Sequence, residues 1–234
     1  MKATAIHQPN YLPWIGYFYK IAFADTFVFL DNVDYQYGNS SSVINRAKIK
    51  TNSGIQLLSV PVKKLKGAQF IKDMPIDNSQ PWQRKHLNAI RLNYAKSQFF
   101  SPVFKLLEEV IENKFDTLSE LNMSLIQNIC NYLSMQSFFL KASSLSTKET
   151  DKNLRLINIC KETGANIYLS GKGGGLQYND SSLFLSNGIT IEYSKFEHPV
   201  YKQLFGTFIP NLSIIDALFN EGINTNQLFM PLQF

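Results

Sequence analysis

Residues 4–31 read TAIHQPNYLPWIGYFYKIAFADTFVFLD. Residues 4–7 have the short apolar pattern of a strand, and between 12 and 24 Trp14, Phe18, Ile21 and Ala22 recur at helical spacing. Residues 26–30 are then a continuous apolar run of the kind buried on both faces of a parallel sheet. Strand, helix and strand in that order predict a βαβ unit. Its right-handed crossover brings the loop after the first strand and Asp31 after the second to one edge of the sheet.

Outward from this unit the alternation continues, with one interruption. Residues 35–75 are polar and rich in Gly and Ser over 37–42, and then turn β-like at 55–62, IQLLSVPV. From Tyr35 to Lys72 there are seven basic residues (Arg46, Lys48, Lys50, Lys63, Lys64, Lys66 and Lys72) and no Asp or Glu. This predicts a β-containing basic insertion, which either meets an anionic partner or forms a solvated basic face. Helical patterns follow over 81–95, 101–113 and 117–134, where Val103, Leu106, Leu107, Val110 and Ile111 mark one apolar face. A strand over 137–142, a helix over 152–163 closed by Gly164, and a strand over 166–170 come next. The glycine run 171–175, a short helix over 181–186 and a strand over 190–196 complete the pattern. Alternation of this kind predicts an α/β, Rossmann-like fold: a mostly parallel sheet with helices on both faces, in one domain spanning 1–234.

Composition narrows the class. With 44% hydrophobic and 18% charged residues, the chain has the balance of a globular domain and no disordered tract. No window approaches the roughly 18 apolar residues of a membrane span, and the N-terminus lacks a secretory pattern, so a cytoplasmic protein is expected. Cys130 and Cys160 lie in apolar helical contexts and, with His only at 7, 86 and 198, form no ligand spacing. No metal site is predicted, and both thiols are expected in the core. The net charge of +5 is modest, and no zinc finger, RRM signature or basic helix is present, which favours a phosphate-bearing small molecule over nucleic acid.

In open parallel sheets the ligand crevice lies beyond the carboxyl ends of the strands. His7, Gln8 and Asp31 are therefore the catalytic candidates, His7 as general acid or base, with Asn10 orienting substrate from the loop stiffened by Pro9 and Pro13. Ser170, Gly171, Lys172, Gly173 and Gly174 offer backbone N–H groups and one ammonium to phosphate oxygens, although no Walker A or dinucleotide fingerprint is present. Arg46, beside Asn45, supplies a guanidinium fork for phosphate or carboxylate, and both are substrate-binding candidates. His198 and Tyr201 follow the last strand and are candidates to return to the crevice. His86, in a charged stretch, is expected on an exposed helix face. The insertion is expected to fold over the carboxyl edge so that Arg46 faces residues 171–175.

Three segments together resemble a known family. IHQPNYLPWIGYFYKIAFADTFVFLD at the start, Asn45-Arg46 with VPV at 60–62, and YLSGKGGG with HPVY and LSIIDALFNEG in the tail resemble the WbqC-like family over nearly the whole chain. That family is associated with O-antigen and other surface-polysaccharide gene clusters. The resemblance implies a cytoplasmic role in making or decorating an activated sugar and supplies no established reaction. The leading expectation is an enzyme that transfers an acyl or aminoacyl group from an activated donor onto an amino sugar carried on a nucleotide. Nucleotidyl transfer to a sugar phosphate and non-catalytic nucleotide-sugar binding are the alternatives. The layout of residues 6–28 is also similar to the first βα unit of HIGH-motif nucleotidyltransferases. Tyr17, however, stands at the second signature histidine, and no first one precedes Gly16 by two.

Overall fold

A computed structural model describes residues 1–37, 42–67 and 69–229. Of the polar stretch over 37–42, residues 38–41 lie outside the described residues. Five strands, β1 (Ala3–His7), β2 (Thr26–Phe29), β5 (Phe138–Lys141), β6 (Ile167–Ser170) and β7 (Thr190–Tyr193), form one sheet in the order β5-β2-β1-β6-β7. All four pairings are parallel. Numbered within the sheet, this is the 3-2-1-4-5 order of a Rossmann-like fold, and the direction of winding reverses between β1 and β6.

Side-chain alternation explains why both faces are covered. Ala5, Phe27, Phe29 and Leu169 point into one core, whereas Ile6, Val28 and Tyr168 point into another. The first core is the larger. It collects α1 (Ile15–Ala22), α2 (Trp82–Tyr94), α3 (Phe100–Ile111), α4 (Leu118–Tyr132) and α8 (Ile214–Glu221). The second is formed with α5 (Lys152–Glu162) and α7 (Ser181–Ser186). Both cysteines are buried, Cys130 in the first core and Cys160 in the second. The helix ends obey local chemistry. Thr117 and Glu120 form a capping box at the start of α4, Asp151 caps α5, and Gly164 takes the left-handed conformation (φ 68°) just after it.

The basic insertion contains an antiparallel hairpin, β3 (Arg46–Thr51) and β4 (Gly54–Ser59). Ala47, Ile49 and Leu58 bury one hairpin face in the larger core, against α2 and α8. The hairpin therefore packs with the helical layer, and among the described residues only the two ends of the insertion reach the carboxyl edge of the sheet. His86 is also placed differently from the sequence expectation. It is buried on α2, where Nε2 lies 3.2 Å from the Ser59 carbonyl and Nδ1 lies 2.9 Å from the Tyr11 hydroxyl. A carbonyl only accepts, so Nε2 carries the proton and Nδ1 accepts from Tyr11. The charged neighbours of His86 in sequence occupy the other face of the helix.

Candidate functional site

At the point where the sheet reverses direction, a cleft of about 1260 Å³ opens over the carboxyl ends of β1, β2, β5 and β6. Its floor includes His7, Gln8, Asn32, Ser143, Ser170 and Gly171, each just after or at the end of a strand. Residues of the segment 147–156, together with Lys172, Gly173, Tyr178 and Asn179, form further walls, and Val33, Asp34, Gln36, Phe70 and Lys72 come from the two ends of the insertion and the loop that leads into it.

The loop after β1 is held from several directions. Asn122 on α4 donates to the Pro9 and Ile44 carbonyls at 2.9 and 2.7 Å, and the Tyr11 amide donates to the Ile44 carbonyl at 3.0 Å. Leu12 is kept in the left-handed region at φ 41°, a conformation that persists only where surrounding packing over-determines it. The stiffness expected from two prolines thus has a second source in these buried bonds.

His7 is partly buried and meets the ring of Tyr17 edge-on at 4.7 Å. Its Nδ1 lies 3.1 Å from the Gln8 carbonyl, which also receives the Tyr17 hydroxyl at 3.0 Å. Nδ1 therefore carries the hydrogen, and Nε2 is left as an acceptor with no partner among the described residues. Burial, and then the charge of Lys20, lower the His7 pKa to about 3. Lys20 on α1 is 6% exposed, and its ammonium donates to the Ile6 carbonyl at 3.2 Å. Burial lowers its pKa to about 8. A neutral imidazole and a buried amine thus stand together at the end of β1.

The cleft as a whole is cationic. Lys20, Lys72, Lys148, Lys152, Arg155 and Lys172 line it, against the carboxylates of Asp34 and Glu149. Of those six cations only Lys72 is in an ion pair among the described residues, at 3.9 Å from Asp73. On one wall the indole of Trp14 is 37% exposed and meets Phe196 edge-on at 5.3 Å. Asn32 Oδ1 is buried without a hydrogen-bond partner. A Cβ on Gly171 or Gly173 would meet nothing within 4 Å, so the bare backbone faces open space that a ligand can enter.

Of the sequence candidates, His7, Gln8, Ser170, Gly171, Lys172 and Gly173 come together on the cleft. Gly174 opens the short helix α6 (Gly174–Tyr178). Asp31 is buried behind the wall, where its carboxylate accepts the Ser143 amide at 2.8 Å and the Ser143 hydroxyl at 2.6 Å, so it positions the loop after β5. Asn10 is buried within the pinned loop and does not line the cleft. Asn45 donates to the Val60 carbonyl at 3.0 Å, and Arg46 begins β3 near Tyr35. Neither lines the cleft, because the hairpin turns away to the helical layer. Tyr201 donates to the buried carboxylate of Asp216 at 2.9 Å. His198 uses both ring nitrogens, with Nδ1 2.9 Å from the Pro199 carbonyl and Nε2 accepting the Asn211 amide at 3.0 Å. Neither lines the cleft, although the His198 ring meets Phe196 of the cleft wall edge-on at 5.9 Å.

Asn32 is expected at the cleft with Asp31, as a residue just after the second strand, whereas Trp14, Lys20, Lys148, Lys152 and Arg155 were not singled out by sequence. Trp14 and Lys20 read as parts of an aromatic amphipathic helix. The one available signal was the pair Trp14 and Gly16: a Cβ on Gly16 would lie 2.3 Å from the indole, so this glycine exists to let the ring fold back over the helix start.

Fold and site define a Rossmann-like α/β protein with a cationic switch-point cleft. The chain belongs to the WbqC-like protein family, which it matches over residues 8–228. The uncharacterized protein Rv1507c of Mycobacterium tuberculosis is 36% identical over 227 residues, covering 95% of each chain. No solved structure matches the chain. No helix among the described residues is long and apolar enough to cross a membrane.

Proposed function

We propose that the chain binds a nucleotide-linked amino sugar in this cleft and transfers an acyl or aminoacyl group onto the sugar amine, in the making of a surface polysaccharide such as O-antigen. The observation that carries the reading is His7, whose Nδ1–H is engaged by the Gln8 carbonyl and whose Nε2 has no partner among the described residues. In the transfer the amine nitrogen bonds to the carbonyl carbon of the activated donor. Its proton passes to His7 Nε2, and the donor's leaving group departs with the bonding pair. Part of the depression of the His7 pKa comes from Lys20, so an anion beside Lys20 restores basicity to the imidazole when substrate is bound.

The remaining residues fit the same substrate class. Gly171, Gly173 and Lys172 offer donors to a diphosphate, and Asn32 Oδ1 offers a buried acceptor to a sugar hydroxyl or amine. The association of the family with polysaccharide gene clusters supports the sugar. The test is mass spectrometry of nucleotide amino sugars incubated with the protein and a panel of activated acyl donors, with the acyl increment expected on the amine and lost in His7→Ala. Release of pyrophosphate from a nucleoside triphosphate and a sugar phosphate would replace this reading with nucleotidyl transfer. Binding without turnover across all donors would reduce it to a binding module.

A further inference from the structure

Lys20 is nine-tenths buried on α1, yet it lines the cleft. Among the described residues its ammonium has one hydrogen bond, to the Ile6 carbonyl, and no carboxylate within ion-pair distance. A buried ammonium without an anion is costly, and proteins retain one where a ligand supplies the opposite charge. The other groups around the position fit an anion as well. His7 shares the floor, and Gly16 lines it from the first turn of α1, a helix start that no side chain caps and whose Tyr17 N–H donates to the Trp14 carbonyl at 3.0 Å. Among the described residues, aspartate and glutamate are present on the cleft only at Asp34 and Glu149, which come from the loops after β2 and before α5.

We infer that Lys20, His7 and the start of α1 form a phosphoryl-binding subsite at the floor of the cleft, distinct from the glycine segment 171–173 that follows the neighbouring strand β6. The subsite seats a tetrahedral oxyanion, either as inorganic phosphate or pyrophosphate or as the diphosphate of a nucleotide. It rests on the reading above only in the last of these sources. Buried donors of this kind hold their anion by desolvated, charge-assisted hydrogen bonds, so the interaction resists salt better than contacts at the rim.

The experiment is calorimetric titration of the full chain with inorganic pyrophosphate and, separately, with a uridine diphosphate sugar. Wild type is compared with Lys20→Met and with Lys105→Met, the latter on the exposed face of α3. Lys20→Met is expected to weaken pyrophosphate by about tenfold or more, and Lys105→Met to leave it unchanged. Equal binding by wild type and Lys20→Met, or no binding of pyrophosphate by wild type at low salt, overturns the subsite. Should Lys20→Met fail to fold, NMR of the wild-type His7 ring decides the matter. A shift of its resonances on saturation with pyrophosphate supports the subsite, and unmoved resonances overturn it. If pyrophosphate binds through Lys20 while no nucleotide sugar binds, the proposed substrate fails and the subsite stands.

Discussion

The indole of Trp14 occupies the space that a side chain on Gly16 would need, with three ring atoms 2.3 to 2.8 Å from an added Cβ. One residue thereby shapes the cleft wall and the other permits it. Gly16→Ala is expected to drive the ring off Phe196, costing about 1–3 kcal/mol of stability by overpacking and weakening any ligand that rests on the indole. Thermal unfolding together with ligand titration checks this; a variant with wild-type melting and affinity would show that the ring is free to move.

His86 makes the fold sensitive to acid. Burial lowers its pKa to about 4, while the unfolded chain protonates this side chain near the ordinary 6.5. Between those values the unfolded state binds more protons, so the stabilisation is complete above pH 6.5 and is lost as pH falls through about 4. The loss amounts to about 3 kcal/mol, with His7 adding a loss of the same sign. Urea unfolding at pH 7, 5 and 4 measures it, and His86→Gln should flatten the slope while lowering the plateau.

Asp31→Ala should loosen the wall it supports. Two partly buried hydrogen bonds to Ser143 disappear, one of them to a backbone amide, at about 1–3 kcal/mol. Hydrogen exchange is expected to quicken in the segment after β5, and the double variant with Ser143→Ala should fall short of additivity. Additive losses would separate the two residues.

His7→Ala is expected to lower turnover in the transfer assay by about 10²–10⁴-fold while leaving the melting temperature close to wild type. A comparable loss of folding would return His7 to a packing role.

The thiols should be inert in the native protein. Burial raises both pKa values, that of Cys160 to about 12. Native protein should resist alkylation, and Cys130→Ala with Cys160→Ala should retain turnover. A covalent adduct trapped at either thiol during turnover would refute this.

The fold was legible where chemistry is local. The alternation in residues 4–31 separates side chains of two cores, and the capped, amphipathic segments form helices within a few residues of expectation. The site was legible only along single strands. His7 and Ser170 could be placed because strand ends are visible in sequence, whereas Lys148, Lys152 and Arg155 reach the cleft only through the packing of α5 across the second core. The basic insertion misled because its charge count ignores register. Lys50 is buried against Gln203 and Thr207, Arg46 stays with the hairpin, and only Lys72 lines the cleft. Likewise His86 looked exposed because its partners, Tyr11 and Ser59, are 75 and 27 residues away.

The chain has two tryptophans, and they stand in opposite surroundings: Trp82 is 3% exposed, and Trp14 forms part of the cleft wall. The molecule therefore carries its own optical gauge. An occupant that dries or quenches the Trp14 indole changes one emitter, while the sealed one supplies a constant reference. The filling of the cleft can thus be followed in unlabelled protein before any substrate has been identified.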